Sequence, residues 1–169
     1  MKDEDISTIV EELVYRRMKI AGVELPEDMQ KALEAAAADE HVSPHGSIIL
    51  HAILENLTIA RRTRLPMCQD TGMVLVFLDI GERLNICLGK LKDAISRGIE
   101  KAYRDGSFRK SVVEEPVFDR VNTGNNLPAV FHIEIVPGNN IGVHLLLKGF
   151  GSENCSGLRM LNPQQEKRE

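Results

Sequence analysis

The run at residues 73–80, MVLVFLDI, is almost wholly apolar and rich in β-formers, with Gly72 before it and Gly81-Glu82 after it. Such a segment reads as a strand covered on both faces, so the rest of the chain has to supply layers that bury it. The N-terminal third offers helices for that purpose. Ile6, Ile9, Val10, Leu13, Val14 and residues 17–20 recur at helical spacing until Gly22. Pro26, followed by acidic Glu27 and Asp28, starts a second helix that runs through the alanines at 35–38 and closes in a loop around Ser43 and Gly46. A third helix from about Ser47 carries Ile48, Leu50, Ile53, Leu54, Leu57 and Ile59. It must end before Pro66, because a residue preceding proline avoids helical torsions.

Beyond the central run, residues 83–88 are expected as a second strand. Residues 90–104 read as a helix that buries Leu91, Ala94, Ile95 and Ile99, has Gly98 as a weak point, and stops at Asp105-Gly106. Two alternating runs, 130–136 and 141–147, joined through Pro137-Gly138-Asn139-Asn140, predict a β-hairpin. Phe131, Ile133 and Ile135 would then share a face with Ile141, Val143, Leu145 and Leu147, and His132, Glu134 and His144 the opposite face. The expected class is α+β, with N-terminal helices packed on a small, largely antiparallel β-sheet. Residues 1–163 form one domain in this reading, helical over 1–65 and α/β over 66–163. A polar tail, QQEKRE, occupies 164–169.

Composition narrows the function. A formal net charge of -4 and 4% aromatic residues leave no electrostatic footprint or stacking platform for nucleic acid. The apolar runs fall far short of the roughly 20 residues that span a bilayer. The N-terminus, MKDEDIS, is acidic, unlike a secretory or transit peptide, so a cytoplasmic protein is expected. Three cysteines, Cys68, Cys87 and Cys155, make an odd number without a secretion signal, which argues for reduced thiols or metal ligands over disulfides.

The chemistry concentrates in residues 65–74, LPMCQDTGMV. Cys68, Gln69, Asp70 and Thr71 place a thiol, an amide, a carboxylate and a hydroxyl side by side between a proline and a glycine, as an active-site loop would. Plainer roles compete. A lone cysteine is usually a small buried hydrophobe, and Asp70 suits a cap on the N–H of Thr71 or Gly72. Arg109, in FRKSVV at 108–113, offers a planar donor for carboxylates, or with Lys110 a solvated surface. The loop at 148–157, KGFGSENCSG, has Gly149, Gly151 and Gly157, which permit backbone N–H groups to turn toward an anion. His132, Glu134 and His144 form a rival metal hypothesis, zinc or non-haem iron. His41, His45 and His51 lack regular ligand spacing. A nucleophilic role for Cys68 needs a nearby histidine, and its own loop holds none.

The 65–74 window resembles the cysteine motif of the class I iron–sulfur fumarases and L-tartrate dehydratases, and three further stretches agree in family order: FRKSVV, NTGNNLPAV at 122–130, and KGFGSENCSG. The likeness runs from about Asp5 to Pro163 and corresponds to the N-terminal part of the α subunit. It implies a hydro-lyase converting fumarate to L-malate, or a related dicarboxylate reaction such as tartrate dehydration, with a place in the tricarboxylic acid cycle. By that resemblance Cys68 is a ligand of a [4Fe-4S] cluster, Asp70 the proton carrier, and Gln69, Arg109 and Gly151 bind the dicarboxylate substrate. Lys148 supports its loop, and Cys87 and Cys155 are structural. The family's other two cluster cysteines lie beyond the KGFGSEN-like loop, and this chain stops at Glu169 before either. A β subunit or C-terminal part is therefore expected as partner, in a homo- or hetero-oligomer. The alternative is a truncated, non-catalytic form acting as a structural or assembly partner.

Overall fold

The computed structural model describes residues 3–151 and 156–160, with the side chains of 3–5 left aside. Cys155, the rest of 152–155 and the tail at 164–169 lie outside the described residues. Among the described residues, four helices, α1 (Asp3–Ala21), α2 (Glu27–Ala37), α3 (Pro44–Thr63) and α4 (Leu88–Asp105), accompany three strands, β1 (Met73–Gly81), β2 (Val130–Val136) and β3 (Ile141–Lys148). The α+β class holds.

The sheet order is β2-β1-β3, parallel between β1 and β2 and antiparallel between β1 and β3. The expected hairpin is therefore absent: β2 and β3 are consecutive, yet β1 lies between them. A gap of two strand spacings is about 9.6 Å, which four residues span when extended. Residues 137–140 accordingly cross the end of β1. Gly81 N–H donates to Asn140 O (2.9 Å) and Arg83 N–H to Gly138 O (3.0 Å). A Cβ on Gly81 would stand 2.7 Å from Gly138 O, so the crossing needs glycine there. The parallel β1–β2 pair is closed by α4, the crossover that parallel strands require. Residues 83–88, expected as a strand, instead lead into α4 and pair with no strand.

The face grouping inferred for the hairpin survives, because β1 joins both strands in register. Val76 pairs with Phe131 and Leu145, and Leu78 with Ile133 and Val143. These point to the layer of α1 and α4, where Val10, Val14, Met18, Leu91, Ile95, Ile99 and Tyr103 build the core. Gly98, expected as a weak point, is a helix-packing contact: its Cβ would lie 2.6 Å from Glu11 O on α1. The opposite face is not covered by the described elements, and Phe77 there is 38% exposed, against the expectation of a strand buried on both sides.

Helix α3 starts earlier than periodicity suggested because Ser43 caps it, accepting from Gly46 N–H at 3.1 Å, with Pro44 in the first turn. Pro26 occupies the N-cap of α2. These two helices pack on each other, with only Ala60 buried in α3 and no residue buried in α2.

Candidate active site

The topology brings one end of all three strands together: the starts of β1 and β2 and the finish of β3. The motifs flanking those ends, far apart in sequence, become neighbours there. Gly72, which opens β1, has φ +56°, and a Cβ on it would lie 1.8 Å from Lys148 O. The chain before β1 thus lies directly on the chain that leaves β3.

Asp70 is half-buried at that junction. Its Oδ1 accepts from Gly72 N–H (3.1 Å), and its Oδ2 accepts from Phe150 N–H (2.9 Å). The capping role weighed against catalysis is present, and it extends across the two motifs. Cys68 is exposed and borders a cavity of about 790 Å³ together with Asp70 and Thr71. Its walls include Arg17, Ile20, Leu25, Met67, Leu145 and Leu147. The loop is moored behind by Met67 N–H on Gly22 O (3.0 Å) and by Asn56 Nδ2 donating to Met67 O (2.7 Å).

Gln69 and Arg109 do not line that cavity. They meet each other, with Arg109 Nη1 donating to Gln69 Oε1 at 2.8 Å, and both are exposed. Gly151 is exposed, and no described atom lies within 4 Å of where its Cβ would be. Lys148 Nζ donates to Gly149 O (2.7 Å), in keeping with loop support. Cys87 sits at the N-cap of α4, exposed rather than buried in a strand. On the outer sheet face, His132 and His144 flank Phe77 from opposite sides, about two strand spacings apart. His132 stacks on the Phe77 ring at 4.9 Å, and His144 Nε2 lies 3.3 Å from Asp79 Oδ2. Among the described residues no three His, Cys, Asp or Glu stand together as metal donors, which removes the His132, Glu134, His144 hypothesis.

Thr71, noted from sequence only as one hydroxyl of the polar loop, and two residues given no role there, Tyr103 and Asn126, organise the site. Thr71, 5% exposed, donates from Oγ1 to Arg109 O at 2.6 Å. Tyr103, on the buried face of α4, donates its hydroxyl to Thr71 O at 3.0 Å. Burial pushes that hydroxyl above the usual tyrosine range, with the Asp70 charge adding to the rise. Asn126, fully buried, donates from Nδ2 to Gly72 O (2.9 Å) and accepts at Oδ1 from Ser111 N–H (2.7 Å) and Val112 N–H (3.0 Å). Helical periodicity from Ile99 signals the burial of Tyr103. Nothing in NTGNN distinguishes Asn126 from its neighbours.

The α+β domain carries Cys68, Asp70 and Arg109 on loops at one sheet end, and comparison with known proteins gives its family. A family model described as fumarate hydratase (fumerase) matches residues 11–169. The putative L(+)-tartrate dehydratase subunit alpha of Methanocaldococcus jannaschii is 36% identical over 159 residues, 91% of this chain and 55% of that protein. The L(+)-tartrate dehydratase subunit alpha of Escherichia coli (strain UTI89 / UPEC) is 28% identical over 158 residues, 91% and 51% respectively. Fumarate hydratase 2 of Leishmania major is 34% identical over 137 residues, 76% of this chain and 24% of that protein. These are the names of a hydro-lyase family. The chain belongs to the fumarate hydratase (fumerase) family. It spans about half the length of the tartrate dehydratase subunits it matches.

Proposed function

We propose that the chain is a component of an iron–sulfur hydro-lyase that reversibly hydrates fumarate to L-malate, or dehydrates a related dicarboxylate such as tartrate. The observation that carries this reading is the junction at Asp70, whose carboxylate binds backbone N–H groups of both the cysteine loop and the glycine loop. Two backbone donors hold its oxygens in place while leaving further lone pairs, so a proton can be received or released at a fixed point. Arg109 offers guanidinium donors beyond the one on Gln69, and a substrate carboxylate would engage them bidentately. Fumarate hydratase and tartrate dehydratase names among the relatives support the dicarboxylate class.

The donor set fits one corner of a metal cluster. Cys68 is an exposed thiol on a cavity wall, as a ligand to an external group needs to be. No other described residue joins it as a donor, so a [4Fe-4S] cluster would take its remaining protein ligands from a β subunit or a C-terminal part. A bound cluster would supply Lewis acidity at the substrate hydroxyl. This shortage of donors also favours the second reading for the chain by itself, a non-catalytic assembly partner. No helix among the described residues is long and apolar enough to cross a membrane.

Anaerobic co-purification from the native cell, with iron and sulfide analysis and a fumarate hydration assay, tests the proposal. Cluster and activity, both lost in Cys68→Ser, are expected. An iron-free, inactive chain that co-purifies with nothing sinks the enzymatic reading and leaves the family fold standing.

A further inference from the structure

We infer that Asn126 is the positioning residue for anion binding at this site: its buried amide sets where Arg109 stands relative to Asp70. The inference rests on the substrate class proposed above, and it assigns a role to a residue that touches no ligand.

The argument starts from the backbone of residues 109–112, which carries Arg109. That segment belongs to no helix or strand of the sheet, so its place is decided by the few polar groups that hold it. Thr71 Oγ1 holds the Arg109 carbonyl, and Asn126 Oδ1 holds the N–H groups of Ser111 and Val112. Through Nδ2 the same amide grips Gly72 O, two residues from the Asp70 carboxylate. One planar side chain, with its donor and acceptor ends rigidly opposed, therefore spans the arginine segment and the aspartate loop. Asn126 is 0% exposed and adopts φ +64°, a left-handed conformation that asparagine tolerates better than most side chains.

The Thr71 bond is a second link between the two loops, made at Arg109 itself, and Asn126 adds the hold on the residues that follow it. Phe108 buries its ring against Gly22 and Tyr103, which anchors the segment at its start. Asn122 Nδ2 donates to Lys110 O, and Thr123 N–H to Val112 O, but both residues belong to the same 122–130 loop as Asn126 and make no hydrogen bond to Gly72. The Arg109–Gln69 bond is exposed and single, so the guanidinium follows its backbone. Losing the Asn126 amide would leave only the Thr71 bond and Phe108 to hold the segment, so the backbone after Arg109 could shift and carry the guanidinium away from the carboxylate.

A four-member cycle tests this in the assembled protein: wild type, Asn126→Ala, Arg109→Ala and the double variant. Binding of succinate, an unreactive dicarboxylate, is measured beside fumarate and tartrate turnover and thermal melting. Asn126→Ala is expected to weaken succinate about tenfold in the wild-type background and less than twofold when Arg109 is already absent, with an equal loss of melting temperature in both. Asn126→Asp, which retains the acceptor for Ser111 and Val112, should recover part of the binding. An equal effect of Asn126→Ala in both backgrounds would mean a structural role alone and overturns the inference, as does a wild type that binds no succinate. A cycle that holds in succinate while no member hydrates fumarate or dehydrates tartrate retains the positioning role and refutes the hydro-lyase reading instead.

Discussion

Replacing Gly72 with Ala should separate β1 from the end of β3 and take the candidate site apart with it. The added Cβ would stand 1.8 Å from Lys148 O, 2.4 Å from Lys148 C and 2.7 Å from Gly149 Cα. All three are backbone atoms, so no rotamer change relieves the clash. Bringing the methyl out to the roughly 3.3 Å of a close carbon–oxygen contact requires an opening of about 1.5 Å. Met73 pairs with Lys148 in the first rung of the β1–β3 ladder, next to the substitution. The φ of +56° adds about 1–2 kcal/mol for a residue with a Cβ. Loss of that rung and of the Phe150 N–H to Asp70 bond, at about 1 kcal/mol for each hydrogen bond, brings the total to roughly 3–4 kcal/mol. In a chain of this size that corresponds to a fall of roughly 10 °C in melting temperature. Thermal unfolding followed by circular dichroism reads it, with amide exchange at Phe150 reporting the junction. Gly89→Ala is the control: nothing lies within 4 Å of its Cβ, and in α4 alanine should leave stability unchanged or raise it by up to about 1 kcal/mol. A Gly72→Ala protein melting within about 2 °C of wild type, with Phe150 still protected, would refute the reasoning.

Gly98→Ala sets helix propensity, about 1 kcal/mol in favour, against overpacking on Glu11 O at 2.6 Å and Val14 at 3.0 Å, about 1–3 kcal/mol; urea denaturation should show net destabilisation. Tyr103→Phe leaves the Thr71 carbonyl without its hydroxyl donor and should cost about 1–2 kcal/mol at neutral pH. The folded-state pKa of Tyr103 is raised, so its neutral form stabilises fully below about pH 10, and that contribution fades as pH rises from there through the folded value. The Phe variant should lack this alkaline loss, which denaturation across roughly pH 9–12 would reveal. Glu115 accepts from the N–H groups of Val117, Phe118 and Asp119, with the bonds to Phe118 and Val117 doing most to hold its carboxyl below the usual range. Its ordering of that loop is present above the ordinary glutamate value of 4.5 and lost as pH falls through the folded value, so exchange at those amides should accelerate on acidification.

The helices and the central strand were legible because each is a local pattern. The buried face of α4 follows from Leu91, Ala94, Ile95 and Ile99 alone, and Ser43-Pro44 in hindsight marks the start of α3. The polar loop at Cys68 was visible because a run of reactive side chains between Pro66 and Gly72 has no packing explanation. The strand order was hidden. Consecutive alternating runs joined by a short loop carry the same signal whether they pair with each other or straddle a third strand, and only the approach of Gly138 O to Gly81 separates the cases. Asn126 was hidden for a related reason. Its partners, Gly72, Ser111 and Val112, are remote in sequence, and an asparagine in a polar turn looks like any other.

By itself the sequence determined the α+β class, the buried face of α4 and the family. These depend on periodicity and on the order of residues along the chain, which are one-dimensional properties. The tertiary structure alone decided that β1 separates β2 from β3, that Asp70 clamps two motifs, and that Arg109 hangs from Thr71 and Asn126. Those outcomes depend on which buried polar groups find partners across long sequence separations, and that choice is made only when the packed chain brings the candidates within hydrogen-bonding reach.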